Sequence, residues 1–379
     1  MHRTTLREPV TSSGTQRLHN PNPGDRVGRV HRDLVTVCTV DGRAAVAWLE
    51  RQWPALYEQD PSATPYSAPG WLAGWASQLS RTATPLLLIA MDSTGVRGAL
   101  ALARERRSDG AEVVQPLSAS CEYLTVVGPG SADQRVAHAL VRRLTGLART
   151  SLVTLPQMPA RSPLAQAIQD QPGWQHTTSP TAVVPLPLDV DALPKTIRRQ
   201  HTRREQKLAH TTVAYRRTGT ADALLAALPT LVALHAAQHP ADDLAPQSTL
   251  DAWSGVLRHC ADSAFIAEAT LDNTVIASQL CLYRARHCYS LLPAMHPAYR
   301  HMGPGHALLR WLAGDLAADG YTRLNLGPTR PTPEQLGYKA QYAPIWDSNV
   351  TSTSVAVGTA PGTPAPPAFP THLHPYTAR

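Results

Sequence analysis

Apolar residues fall along this chain in two rhythms. Runs such as "LLLIAM" (from Leu86) and "VRGALALARE", separated by the turn signal "DSTG", predict a strand pair, and "CEYLTVV" predicts a third strand. "ADQRVAHALVRRLTGL" then places Val136, Leu140 and Leu144 at the spacing of one helix face, and "SLVTL" predicts a strand after it. The same order returns downstream. "AFIAEAT" and "VIASQLCLYRA" flank the turn "LDN", "HCYSLLPAM" reads as a third strand, and a helix carrying Leu308, Leu309, Leu312 and Leu316 leads to "YTRLNL". A long unit recurring with its elements in one order predicts duplication. A "GPG" stands between third strand and helix in both copies, at Gly128–Gly130 and at Gly303–Gly305.

The outer segments lack periodicity. Residues 1–33, rich in Arg, Thr, Pro and Gly, are expected to be a flexible leader, and residues 353–379 a Pro-rich tail. Between them the expected division is an N-terminal unit over 34–188, a connecting helix over 189–210 and a C-terminal unit over 211–352.

Composition narrows the class. At 379 residues two domains are expected, and 43% apolar content supplies cores although only two Phe are present. Five cysteines without a CxxC pair make neither a disulfide framework nor a zinc cluster, which fits a reducing cytoplasm. Sixteen histidines show no HExxH or comparable spacing, so no metal is predicted. The longest unbroken apolar run falls far short of the ~20 residues that span a bilayer, and nothing near Met1 resembles a signal-peptide core. A cytoplasmic protein is expected.

The net charge of +7 has an address. Residues 195–217 hold eight cations against Glu205, which accounts for the whole imbalance. Asp191 is placed to cap a helix there, Pro194 fits its first turn, and Leu193, Ile197 and Leu208 fall within about 60° of one another at ~100° per residue. Lys195, Arg199, Arg203 and Lys207, four apart, form a basic ridge on another face. Such a ridge is a solvated face or a surface for phosphates, those of a carrier RNA or of a phosphorylated acceptor.

The second copy carries the sharper chemistry. Arg300 precedes Gly303-Pro304-Gly305, and a helix begins at once; free N–H groups there, with His306 and Ala307 in the first turn, suit a diphosphate, and Arg300 adds a forked cation. Thr125 stands at the matching position of the first copy, so the second is the expected anion binder.

Strand, Arg-x-x-Gly-x-Gly, helix, strand resembles the donor site of the GNAT acyltransferases. Duplication around a basic helix resembles their FemAB and BioF2-like branch, carried by "PYSAPGWLAGW", "LPKTIRRQHTRREQKL", "AYRHMGPGHALL" and "GYKAQY" over roughly Trp48 to Trp346. The resemblance implies an α+β fold of two tandem GNAT-like units, each a mixed, mainly antiparallel sheet flanked by helices, with the donor loop of the first degenerate. It implies a donor site at Arg300, Met302, Gly303, Pro304, Gly305 and His306, and a Lys339 near the acyl carbonyl where its charge would stabilise an oxyanion. The family often has Asp where Asn325 stands and Ser where Gly303 stands.

Glu268, in "FIAEAT" on the strand face opposite Phe265 and Ala267, is the candidate proton acceptor; His296, Tyr338 and Tyr342 are weaker ones. The expected activity is transfer of an acyl group from acyl-CoA to a primary amine, forming an amide. No resident cofactor is expected. The acceptor is an amine-bearing small molecule or a cell-wall precursor. Two alternatives stand beside this: a Fem-like transferase using aminoacyl-tRNA, and a non-catalytic nucleic-acid-binding protein with a GNAT fold.

Overall fold

Among the described residues twelve strands join into one continuous sheet, and the order in which they join is the central fact of the architecture. The structure, a computed structural model, describes residues 34–118, 122–238 and 246–355. The expected leader and nearly all of the expected tail lie outside these residues.

The first half runs β1 (Thr36–Asp41), α1 (Gly42–Arg51), α2 (Trp53–Glu58), α3 (Pro69–Ser77), β2 (Ala83–Asp92), β3 (Gly95–Arg106), β4 (Glu112–Pro116), α4 (Gln134–Leu147), β5 (Leu152–Pro159), α5 (Pro163–Gln169) and β6 (Trp174–Pro185). The connecting helix is α6 (Lys195–Ala209). The second half is β7 (Val213–Arg217), α7 (Ala221–Gln238), α8 (Pro246–Cys260), β8 (Ala264–Leu271), β9 (Thr274–Arg284), β10 (His287–Met295), α9 (Pro304–Ala318), β11 (Arg323–Pro328), α10 (Pro333–Ala340) and β12 (Ile345–Ser354). The duplication read from the sequence is real at this level.

The sheet order is β1-β2-β3-β4-β5-β12-β6-β11-β10-β9-β8-β7. Each half gives its last strand to the other: β12 lies beside β5, and β6 lies beside β11. The pair β12·β6 at the middle is antiparallel over ten residues, from Ile345↔Val183 to Ser354↔Trp174. The two units expected from the sequence are therefore welded by exchanged strands, and the described residues from Val35 onward form one compact unit.

Parallel pairing occurs at β4·β5 and β10·β11, where a helix makes the crossover. Both pairs are short. β10 and β11 match only from His287↔Arg323 to Tyr289↔Asn325, and beyond that the strands part.

Two local readings need correction. "CEYLTVV" is not the third strand of the first half; that strand is β4, "EVVQP", upstream. Leu117 N–H still donates to Ala101 O and Val127 pairs with Ala99, but between them Glu122–Val126 lie outside the sheet. An apolar run bounded by turn signals does not distinguish a strand from a buried excursion. Helix α6 begins at Lys195 with an extended Pro194 before it, and Asp191 does not cap it. Asp189 instead accepts from Asp191 N and Ala192 N in a local turn, and Asp191 pairs with Arg198.

Three cores form. Helices α4 and α5 cover β2, β3 and β5, and α9 covers β8, β9, β11 and β6. The third core joins the halves, with α1, α2 and α3 meeting α7 and α8. Trp71, Trp75 and Trp253 contact one another there with ring centroids 5.7 to 5.9 Å apart, and removing one such ring costs about 3–5 kcal/mol. Gly74 lets α3 lie directly on α8, since a Cβ would stand 2.8 Å from Val256 Cα. α7 is the one described helix long and apolar enough to cross a membrane; Leu224, Leu228, Leu231 and Val232 bury its inner face in this shared core.

Candidate active site

At the start of α9, the loop predicted to hold phosphate has an open and charged geometry. Gly303 adopts a left-handed φ of 70° and caps the helix, Pro304 occupies the first turn, and the Gly305 N–H has no partner among the described residues. Gly303 N–H donates to Arg300 O, closing the short helix that carries Met302, and the Arg300 side chain is exposed. Arg204 of α6 lies over the loop, with its Cδ 3.4 Å from where a Gly303 Cβ would be and its guanidinium donating to Gln341 Oε1 at 2.7 Å.

His306 shares a 2.7 Å hydrogen bond with Tyr342 Oη and packs 4.6 Å from the Tyr338 ring. Burial, then the Arg204 charge and His201, pull its pKa down to about 3, so the imidazole is neutral. His201 on α6 is 2% exposed with neither ring nitrogen hydrogen-bonded, and burial takes it to about 4. The two phenols therefore pack against the start of α9.

The matching loop of the first half is closed by its own hydrogen bonds. Asp60, itself buried, accepts from Gly128 N at 3.0 Å, and Gly130 N donates to Arg97 O at 2.7 Å. Neither of these two amides is free to bind an anion.

The ridge and the two proposed catalytic groups fare differently. Lys195, Arg199, Arg203 and Lys207 are all exposed and carry no ion pair among the described residues. Glu268 is buried on β8, where Arg216 of β7 holds its Oε2 through two nitrogens at 2.6 and 2.8 Å. That strand lies two positions from the β10·β11 opening, so the structure does not bring Glu268 to Lys339. Lys339 is at the opening, but its Nζ donates to three carbonyls, Leu326 at 2.6 Å and Gly327 and Pro328 at 2.9 Å. With all three N–H groups engaged, it ties α10 to the end of β11 and has none left for an acyl oxygen.

The carboxylate that the fold does bring here is Glu122, from the excursion that replaces a strand. Tyr66 Oη donates to Glu122 Oε2 at 2.7 Å, and Gly327 (φ 73°) sits so close that a Cβ would lie 2.9 Å from that oxygen. Desolvation raises the Glu122 pKa to about 7 against the lowering effects of Tyr66 and the nearby Lys339. Lys339 is pulled down to about 8, burial outweighing Glu122. Asn325 donates to Tyr123 Oη at 2.5 Å and accepts from Gly327 N at 2.8 Å, fixing the turn that faces Glu122.

Tyr123, Asn325 and Tyr289 also line a cleft of ≈ 330 Å³ between loops of the first half and strands of the second. Glu122, Tyr66 and Arg204 were missed in the sequence. Arg204 had a signal: it lies seven residues after Ile197, within about 20° on the apolar face, where an unexplained cation asks for a partner.

Residues 195–340 match the acetyltransferase (GNAT) domain family. No curated protein matches the sequence. Among solved structures, FemX superposes with a TM-score of 0.56 at 10% identity, covering 80% of this chain and 95% of its own. The C-terminal domain of a putative lysylphosphatidylglycerol synthetase from Agrobacterium fabrum gives 0.52 at 12% identity, covering 82% and 92%. A conserved protein of unknown function from Bacteroides thetaiotaomicron gives 0.53 at 10%, covering 82% and 97%. Residues 195–340 thus form a domain of the acetyltransferase (GNAT) family, an acyltransferase class, and the fold of the chain is similar to that of FemX.

Proposed function

We propose that the protein is an N-acyltransferase that moves an acyl group from acyl-CoA to a primary amine. The observation that carries this reading is Glu122: a carboxylate with a pKa near 7, contributed by the first half, set against Gly327 where β10 and β11 of the GNAT half have parted. A base with that pKa is half ionised at neutral pH and suited to take a proton from an amine.

The donor diphosphate rests on the free Gly305 N–H at the start of α9, with Arg204 over Gly303 and the exposed Arg300 of the preceding turn as cations. The amine nitrogen attacks the acyl carbonyl carbon, Glu122 accepts the ammonium proton, and the carbon–sulfur bond breaks with the electron pair leaving on the thiolate. Holding the two reactants together supplies most of the acceleration. Lys339 acts by fixing the carbonyls of β11. No resident cofactor takes part.

A second reading, aminoacyl-tRNA as donor, is favoured by the four exposed ridge cations, which have no anionic partners among the described residues. Incubating the protein with CoA thioesters and a panel of primary amines, and following free thiol and acylated amine by mass spectrometry, tests the first reading. Amine-dependent thiol release supports it. Transfer only from charged tRNA supports the second, and transfer from neither overturns both in favour of the non-catalytic alternative.

A further inference from the structure

The cleft beside Glu122 is electrically polarised along its length. At one end Arg323 and His287 face each other across the first pair of the β10·β11 ladder, and both line the cleft. Asp347 on β12 lines it at the other. The register of β6 measures the separation: Arg323 pairs with Pro185, whereas Asp347 pairs with Thr181 two strands away from β11. Four residues along the strand and two strand spacings across place the two backbones roughly 16 Å apart.

Asp347 is at the Glu122 end. Pro328, the residue after Gly327, also pairs with Thr181, so Gly327, Glu122 and Asp347 share one level of the sheet. Tyr123 and Asn325 lie between the two ends. Neither Arg323 nor Asp347 has an ion-pair partner among the described residues, and burial, then the Arg323 charge, lowers the pKa of His287. A cation and an anion held apart without ion-pair partners among the described residues match a ligand with the opposite charges at the same spacing.

From this arrangement we propose that the acceptor is a bipolar molecule, with its primary amine at the Asp347 and Glu122 end and an anionic group, carboxylate or phosphate, at the Arg323 and His287 end about 10–15 Å away. The proposal rests on the acyltransferase reading and names its acceptor class. A neutral amine of the same length would leave Arg323 unpaired, and a short amino acid would reach one end only.

Calorimetry without any donor tests the site by itself. Tetraglycine, which extends to about 13 Å, is compared with its C-terminal amide, with glycine, and with an ω-aminoalkyl phosphate of matching span. We expect tetraglycine or the phosphate to bind at least ~10-fold tighter than the amide, the stronger of the two naming the anion, and glycine to bind weakest. Arg323→Gln should collapse the acid-to-amide ratio to below ~2-fold with its melting temperature unchanged, Arg323→Lys should restore part of it, and Asp347→Asn should weaken acid and amide alike. Equal affinity for acid and amide, or an Arg323→Gln protein that still discriminates, overturns the proposal, as does absence of binding by every probe. Discrimination in binding combined with no transfer from any donor would instead retain the bipolar site and overturn the acyltransferase reading.

Discussion

Gly327 and Glu122 are fitted to each other: the missing side chain of one, on β11 of the second half, is the space in which the carboxylate of the other, from the first half, sits. The left-handed φ of 73° at Gly327 adds a second reason for glycine. Gly327→Ala should therefore cost about 1–2 kcal/mol in stability and also displace the carboxylate. Acyl transfer should fall at least tenfold while donor affinity holds. A fully active Gly327→Ala protein would remove Glu122 from the reaction.

Glu122 makes a pH prediction with a definite sign. Its folded pKa of about 7 lies above the ordinary 4.5, so between these values the folded chain keeps a proton that the unfolded chain has released. The stabilising contribution is whole below pH 4.5 and is lost as pH rises to about 7. Melting scans of wild type and Glu122→Gln should show the wild type losing stability relative to the variant across that window. In kinetics, kcat/KM should rise through an apparent pKa near 7, and the rising limb should vanish in Glu122→Gln. A limb that persists in the variant belongs to another group.

The hairpins, the helices α4 and α9 and the repeat of both were legible because each is specified by local periodicity. What could not be read was decided by distant residues. The exchange of β6 and β12 depends on pairings such as Asp347↔Thr181, which leave no mark on either strand alone. Glu268 and Glu122 looked alike, each an acid in an apolar run. Arg216 on the next strand claims the first, and Tyr66 and Gly327 place the second at the opening. Lys339, expected beside an acyl oxygen, gives its donors to three carbonyls at the end of β11, a partnership that no local pattern announces.

That task predicts how Lys339→Met behaves. Methionine keeps the stem but leaves three carbonyls without their shared donor, at roughly 1–3 kcal/mol for buried groups left unpaired. Both melting temperature and turnover should fall together, and Gly327→Ala combined with Lys339→Met should be less than additive because both act on one turn. Normal stability with a purely catalytic defect would return Lys339 to the oxyanion role.

The connecting helix supplies two sets of cations, and a single comparison separates them. Arg204 overlies Gly303 and is anchored by Gln341, whereas Lys195, Arg199, Arg203 and Lys207 face solvent. If the donor is acyl-CoA, Arg204→Ala should weaken its binding by about 1.5–3 kcal/mol, the range for a charge-assisted hydrogen bond. Replacing the four ridge residues by Gln keeps helix propensity and should leave CoA affinity nearly unchanged. A tRNA donor inverts the result: each phosphate contact adds about −0.7 to −0.9 to the slope of log affinity against log salt, so the quadruple variant should flatten that slope by up to about three units. Titrating both ligands onto wild type and the two variants from ~50 to 300 mM salt therefore assigns the donor. CoA binding that is indifferent to Arg204 would leave the α9 loop without its second cation and the diphosphate assignment without support.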